Sequence, residues 1–179
     1  MVNQRPDFSH YWRIRFVAGG LFRSCEVQEF DGVRGMSEPE WTAADTNTHQ
    51  DHVIAHVIGA TVLGHFVFDE TAFLLLDIGF IWNIYLDGEM GLLPHPVAIT
   101  ELATDDLTKA ELRADTDALM RQGVVEPLRR MTGSGITSPI ETVGFFRCDQ
   151  SRRLVLTCES GEIVIETSLT TGEVKLYEP

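Results

Sequence analysis

At 179 residues and 44% hydrophobic composition, the chain is long enough to bury one sizeable core, and a single domain spanning 1–179 is the simplest division of it. Its formal charge of −13 argues against a nucleic-acid surface, whose phosphates need clustered Lys and Arg, and against an anionic membrane surface for the same reason. The charge is uneven: residues 1–34, 35–108 and 109–179 carry +1, −12 and −2, and the middle stretch holds 12 of the 27 acidic groups and five of the six histidines with no Lys or Arg. Such a stretch attracts cations, basic peptides or basic protein faces.

In chain order, the polar start Met1-Val2-Asn3-Gln4-Arg5-Pro6-Asp7 lacks a basic-then-apolar leader, and the odd cysteines Cys25, Cys148 and Cys158 lack C-x-x-C spacing. Both features lead to the expectation of a cytoplasmic protein with reduced thiols, against which a Cys148–Cys158 disulfide between facing strands is the alternative. Residues 8–34 read as two strands: Tyr11, Ile14 and Phe16 interleave with Arg13 and Arg15, Gly19-Gly20 punctuates, and Asp31-Gly32 turns. Residues 35–50 have no period and read as a loop, with a short helical turn at Pro39-Glu40-Trp41.

Residues 49–58 carry mixed signals. Their β-branched content suits a strand, whereas a Thr48 cap and a terminal Gly59 suit a helix, and the capping signals weigh for helix. Residues 60–68 and 72–86 follow as two apolar strands around an Asp69-Glu70-Thr71 turn, the second bent by a bulge at Gly79 and ended by Asp87-Gly88. Ala72-Phe73-Leu74-Leu75-Leu76 does not alternate, which implies cover on both faces, by a helix or by a second copy of the chain. The apolar runs Val53–Phe68 and Thr71–Leu86 are too short, and too polar at His56 and His65 and at Asp77 and Asn83, to cross a bilayer.

Leu92-Leu93-Pro94-His95-Pro96 reads as a connector, because two prolines remove ladder donors. Thr108-Lys109-Ala110-Glu111 is a capping box that opens a helix closed by Gln122-Gly123, and 132–135 reads as flexible. The tail is a β-meander with strands at 142–147, 154–158, 163–167 and 173–177. The expected fold is α+β: a largely antiparallel, curved β-sheet with one or two helices packed on it and a C-terminal β-meander.

Three sets of residues carry candidate chemistry. His49, His52 and His56 are spaced i, i+3 and i+7, so that on a helix they form a candidate site for zinc, nickel or copper, with Asp45, Asp51, His65 or His95 brought in by the fold. The pattern lacks the Glu of H-E-x-x-H, and its plainer reading is the polar side of a helix. Asp69, Glu70, Asp77, Asp87 and Glu89 are candidate docking or pocket residues, and Asp77, inside an apolar run, is the candidate for a carboxyl perturbed by burial. The aromatics Phe66, Phe68, Phe73, Phe80, Trp82 and Tyr85 would fill a core or line a cup for an apolar ligand. Nucleotide-binding, calcium-loop and nucleophile-elbow motifs do not occur, and catalytic residues are not identified. Three expectations follow: a binding protein of the inhibitor or toxin-neutralising kind whose segment 35–108 docks on a basic protein or peptide; a metal-binding module or metal-dependent enzyme using the histidines; and a self-associating, small-ligand-binding sheet domain forming a homo-oligomer.

Overall fold

Burial along the strands divides them into two kinds. The C-terminal strands alternate: Leu154, Leu156 and Cys158, then Ile163, Ile165 and Thr167, are buried while the residues between them stay partly wet. All six residues of Thr71–Leu76 are buried. The computed structural model describes residues 40–121 and 127–178, which lie within the unit Glu38–Pro179. In chain order these form β1 (Thr42–Ala43), α1 (Thr48–Val57), β2 (Val62–Phe68), β3 (Thr71–Leu76), β4 (Phe80–Tyr85), β5 (Met90–Pro94), α2 (His95–Glu101), α3 (Asp106–Met120), β6 (Thr132–Gly133), β7 (Ile140–Cys148), β8 (Ser151–Cys158), β9 (Gly161–Ser168) and β10 (Glu173–Tyr177). The fold is α+β, with two antiparallel sheets in the orders β5-β4-β3-β2-β6 and β1-β7-β8-β9-β10.

The non-alternating central strands have cover on both faces from the chain itself. Leu74, Leu76, Trp82 and Ile84 meet Leu154, Leu156, Ile163 and Ile165 of the other sheet in one core. Phe66, Phe73, Leu75 and Ile81 meet Ala98, Ile99, Leu102 and Leu112 of the α2–α3 region in a second core. The middle sheet is therefore the common wall of two cores, and its apolar faces do not require a second copy. The aromatic rings pack accordingly: Phe66 and Phe73 stack with centroids 4.6 Å apart, and Trp82 is fully buried.

α1 closes the sandwich between β5 and β7. Val53 and Val57 enter the inter-sheet core, Gln50 Nε2 donates to Gly88 O at one end, and Gly59 N donates to Ile140 O at the other. Residues 49–58 are thus helical through Val57. The cap is Asn47, one residue before the expected Thr48: its side chain accepts from Gln50 N, and the Gln50 side chain accepts from Asn47 N in return. Similarly, α3 is capped by Asp105 rather than Thr108. The Thr108 amide donates to Asp105 Oδ1 at 2.9 Å, which holds the Asp105 carboxyl below its usual range.

Several expectations are corrected. The run 72–86 is not one bent strand: Gly79, at φ +85°, and the 3.0 Å bond from its amide to Leu76 O make a tight turn that folds β4 back on β3. The 92–96 connector belongs partly to β5, an edge strand that tolerates Pro94, and His95 already begins α2. Residues 132–133 pair with β2, and 42–43 join β7; Glu40 and Trp41 are not helical, and Pro39 of the expected turn lies outside the described residues. Cys148 and Cys158 are free thiols at opposite ends of the β7–β8 pairing, opposite Ser151 and Ile140 respectively, so no disulfide joins them. Burial pushes the Cys158 thiol up, with the Glu141 charge adding to the shift. The expected strands within 8–34 and the helix stop at Gln122-Gly123 lie outside the described residues. Among the described residues no helix is long and apolar enough to cross a membrane.

Candidate functional site

Turn parity builds the site. In an up-and-down meander every second turn falls at the same end, so the β2–β3 turn and the β4–β5 turn lie together while the β3–β4 turn lies at the far end. Asp69 and Glu70 occupy the first, Asp87 and Glu89 the second. With Thr71, Tyr85, Leu86 and Leu169 these four acids line a groove of about 390 Å³. The β9–β10 turn of the other sheet supplies Leu169 and closes one wall, where Gly172 sits so near the Glu70 carboxylate that a Cβ would lie 2.6 Å from Oε1.

Asp87 and Glu89 are held by local bonds, and none of the four acids has an ion-pair partner within 4 Å among the described residues. Asp87 Oδ1 accepts from Glu89 N at 3.0 Å, and Glu89 Oε1 accepts from Asn47 Nδ2 at 2.9 Å. Asp69 and Glu70 have φ of +45° and +57°, the left-handed pair of a two-residue type I′ hairpin turn. Such positions favour Asn-Gly or Asp-Gly; here a glutamate is held in the second, in a conformation that ordinarily costs an L-residue about 1–2 kcal/mol. Exposed Tyr85 and Leu169 give the acidic groove an apolar margin.

Asp87 and Glu89 also border an adjoining groove of about 310 Å³ that includes Asp45, Asn47, Arg147 and Arg152. Arg147 and Arg152 face each other across β7 and β8, and Arg152 Nη1 donates to the Asp149 and Ser151 carbonyls. The rim is therefore acidic at the Asp69–Glu70 end and mixed at the Asp45 end. A further depression of about 350 Å³ beside α3 is lined by Ala110, Ala114 and Ala118 together with Asp115. Asp115 is already committed: Oδ2 accepts the amides of Arg129, Arg130 and Met131 at 3.0, 2.7 and 2.9 Å, and Oδ1 accepts Arg129 at 3.1 Å.

Asp77 stands apart from the other acids. It is exposed in the β3–β4 turn, its Oδ1 accepts from Thr61 N at 2.9 Å, and its amide donates to Thr61 O, so it is a turn residue rather than a buried carboxyl. The histidines also separate. His49 Nε2 donates to Met90 O at 2.9 Å and ties α1 to β5, whereas His52 and His56 lie side by side in solvent with ring centroids 4.4 Å apart. Among the described residues no group of three or more His, Cys, Asp or Glu is arranged to hold a metal ion.

One further pair carries no signal in the sequence. His65 on β2 faces Glu178, with Nδ1 3.5 Å from Oε1 and both side chains 14% exposed, and Glu178 Oε2 accepts from Gly135 N at 2.8 Å. Burial lowers the His65 pKa from its ordinary 6.5, outweighing the opposite pull of the Glu178 carboxylate. The partners are 113 positions apart, so only the folded chain reveals them. No protein-family model, curated protein sequence or solved structure matches this chain.

Proposed function

We propose that the chain is a binding protein that seats a basic partner at the Asp69, Glu70, Asp87 and Glu89 end of the sandwich. The observation that carries this reading is the convergence of four carboxylates from two turns on one groove, none of them with an ion-pair partner within 4 Å among the described residues. Carboxylates so placed repel one another, and a Lys or Arg side chain entering the groove removes that repulsion while its aliphatic stem lies on Tyr85 and Leu169. The 74-residue stretch without Lys or Arg acts in the same direction at longer range and steers a basic face toward this end.

The test is fluorescence anisotropy of a labelled oligolysine peptide, with oligoglutamate as control. Measurements run at about 10 mM and about 150 mM salt, where the Debye length is roughly 30 and 8 Å. Binding of the basic peptide alone is expected, weakening with salt and reduced in Glu70→Gln/Asp87→Asn. Failure of the basic peptide to bind at low salt, or equal binding by the double variant, sinks the proposal.

A further inference from the structure

We propose that His52 and His56 form a two-imidazole chelate for a divalent copper or nickel ion on the exposed face of α1. The residues are four apart on a helix, the spacing that brings side chains together one turn above another. A carbonyl oxygen only accepts, so the 2.8 Å contact between His56 Nδ1 and His52 O fixes the proton on Nδ1 and leaves the lone pair on Nε2. Tying the second ring N–H to a carbonyl is the arrangement that orients metal-bound histidines and raises their basicity. His52 makes no hydrogen bond through its ring among the described residues, so it too is available to an ion.

The ring centroids lie 4.4 Å apart, so one ion can reach both imidazoles after small side-chain rotations. Among first-row divalent ions copper(II) binds nitrogen donors most tightly, ahead of nickel(II) and zinc(II), which makes it the expected occupant. Both residues are exposed, so water fills the remaining positions, and the net negative stretch around them favours a cation. His49 contributes nothing, because its Nε2 is engaged on Met90 O.

The experiment is titration of the intact chain with copper(II), and separately with zinc(II), read by calorimetry and by copper electron paramagnetic resonance. One copper per chain is expected, with coupling to two imidazole nitrogens and tighter binding than zinc. His52→Ala and His56→Ala, each checked for unchanged far-ultraviolet circular dichroism, should weaken copper binding by about a hundredfold, the loss expected when a chelate becomes a single ligand. His49→Ala should leave it unchanged. His56→Gln, which keeps a helix-compatible polar side chain, provides the same reading if His56→Ala disturbs the helix. Copper affinity equal in wild type, His52→Ala and His56→Gln overturns the proposal, as does a spectrum with one imidazole or loss of binding in His49→Ala.

Discussion

Replacing Glu70 by glycine should strengthen the fold and weaken the proposed binding at once. Glu70 sits at φ +57° in the second position of the type I′ turn between β2 and β3. Relief of the left-handed conformation is worth about 1–2 kcal/mol, and the extra backbone freedom of glycine in the unfolded chain takes back about 0.5–1 kcal/mol. The contact of the carboxylate with Gly172 is lost, but so is its repulsion from Asp69, Asp87 and Glu89. The net expectation is a gain of roughly 0.5–1 kcal/mol, or about 1–4 °C in Tm for a domain of this size. Differential scanning calorimetry reads the first effect and oligolysine anisotropy the second. A turn residue with no role beyond the hairpin would give the stability gain without the loss of affinity. A Tm equal to or below wild type would refute the account of the turn itself.

Five other substitutions, at four positions, test separate parts of the structure. Because the folded-state pKa of His65 is lowered, the unfolded chain binds a proton that the folded chain refuses as pH falls below about 6.5. Stability should therefore decline through that window toward the lower folded value, and His65→Gln should flatten the decline in urea midpoints measured from pH 8 to pH 5; parallel curves for the two proteins would contradict this. Asp115→Ala removes the acceptor of three backbone amides and should cost roughly 3 kcal/mol or more, whereas Asp115→Asn keeps most acceptors and should cost about 1–2 kcal/mol; equal urea midpoints for the two variants would show that these bonds do not hold the loop. Leu74→Ala, at a residue with no exposed surface in the wall between the cores, should cost about 2–5 kcal/mol, while Val67→Ala, on the 47% exposed side of β2, should stay within about 0.5 kcal/mol; chemical denaturation distinguishes them.

The parts legible in the sequence are those governed by local periodicity. β7 to β10 match the expected meander within a few residues because apolar and polar positions alternate and turns are marked by Glu159-Ser160-Gly161 and Thr171-Gly172. The need for cover on both faces of Ala72–Leu76 is legible in the absence of alternation, but its source is not: packing of a strand against a sheet about 80–90 residues further along leaves no mark on periodicity. The structure departs furthest from the sequence expectation at Asp77-Ile78-Gly79, because a glycine there suits a tight turn as well as a bulge. Read as a turn, it would have placed Asp69-Glu70 and Asp87-Glu89 at one end and Asp77 at the other from sequence alone. His52 and His56 were separable from His49 only once the helix was docked, because the carbonyl that engages His49 belongs to β5.

The six consecutive buried residues of β3 have a kinetic consequence. With a strand on either side, a sheet above and helices below, the β3 ladder amides are expected to be among the slowest of the described residues to exchange with deuterium. The turn at Asp69-Glu70, one residue from the start of that strand, carries the exposed acids at its tip. The proposed binding end and the most fully covered strand are thus covalent neighbours, and a partner held at the turn would be anchored directly to the core.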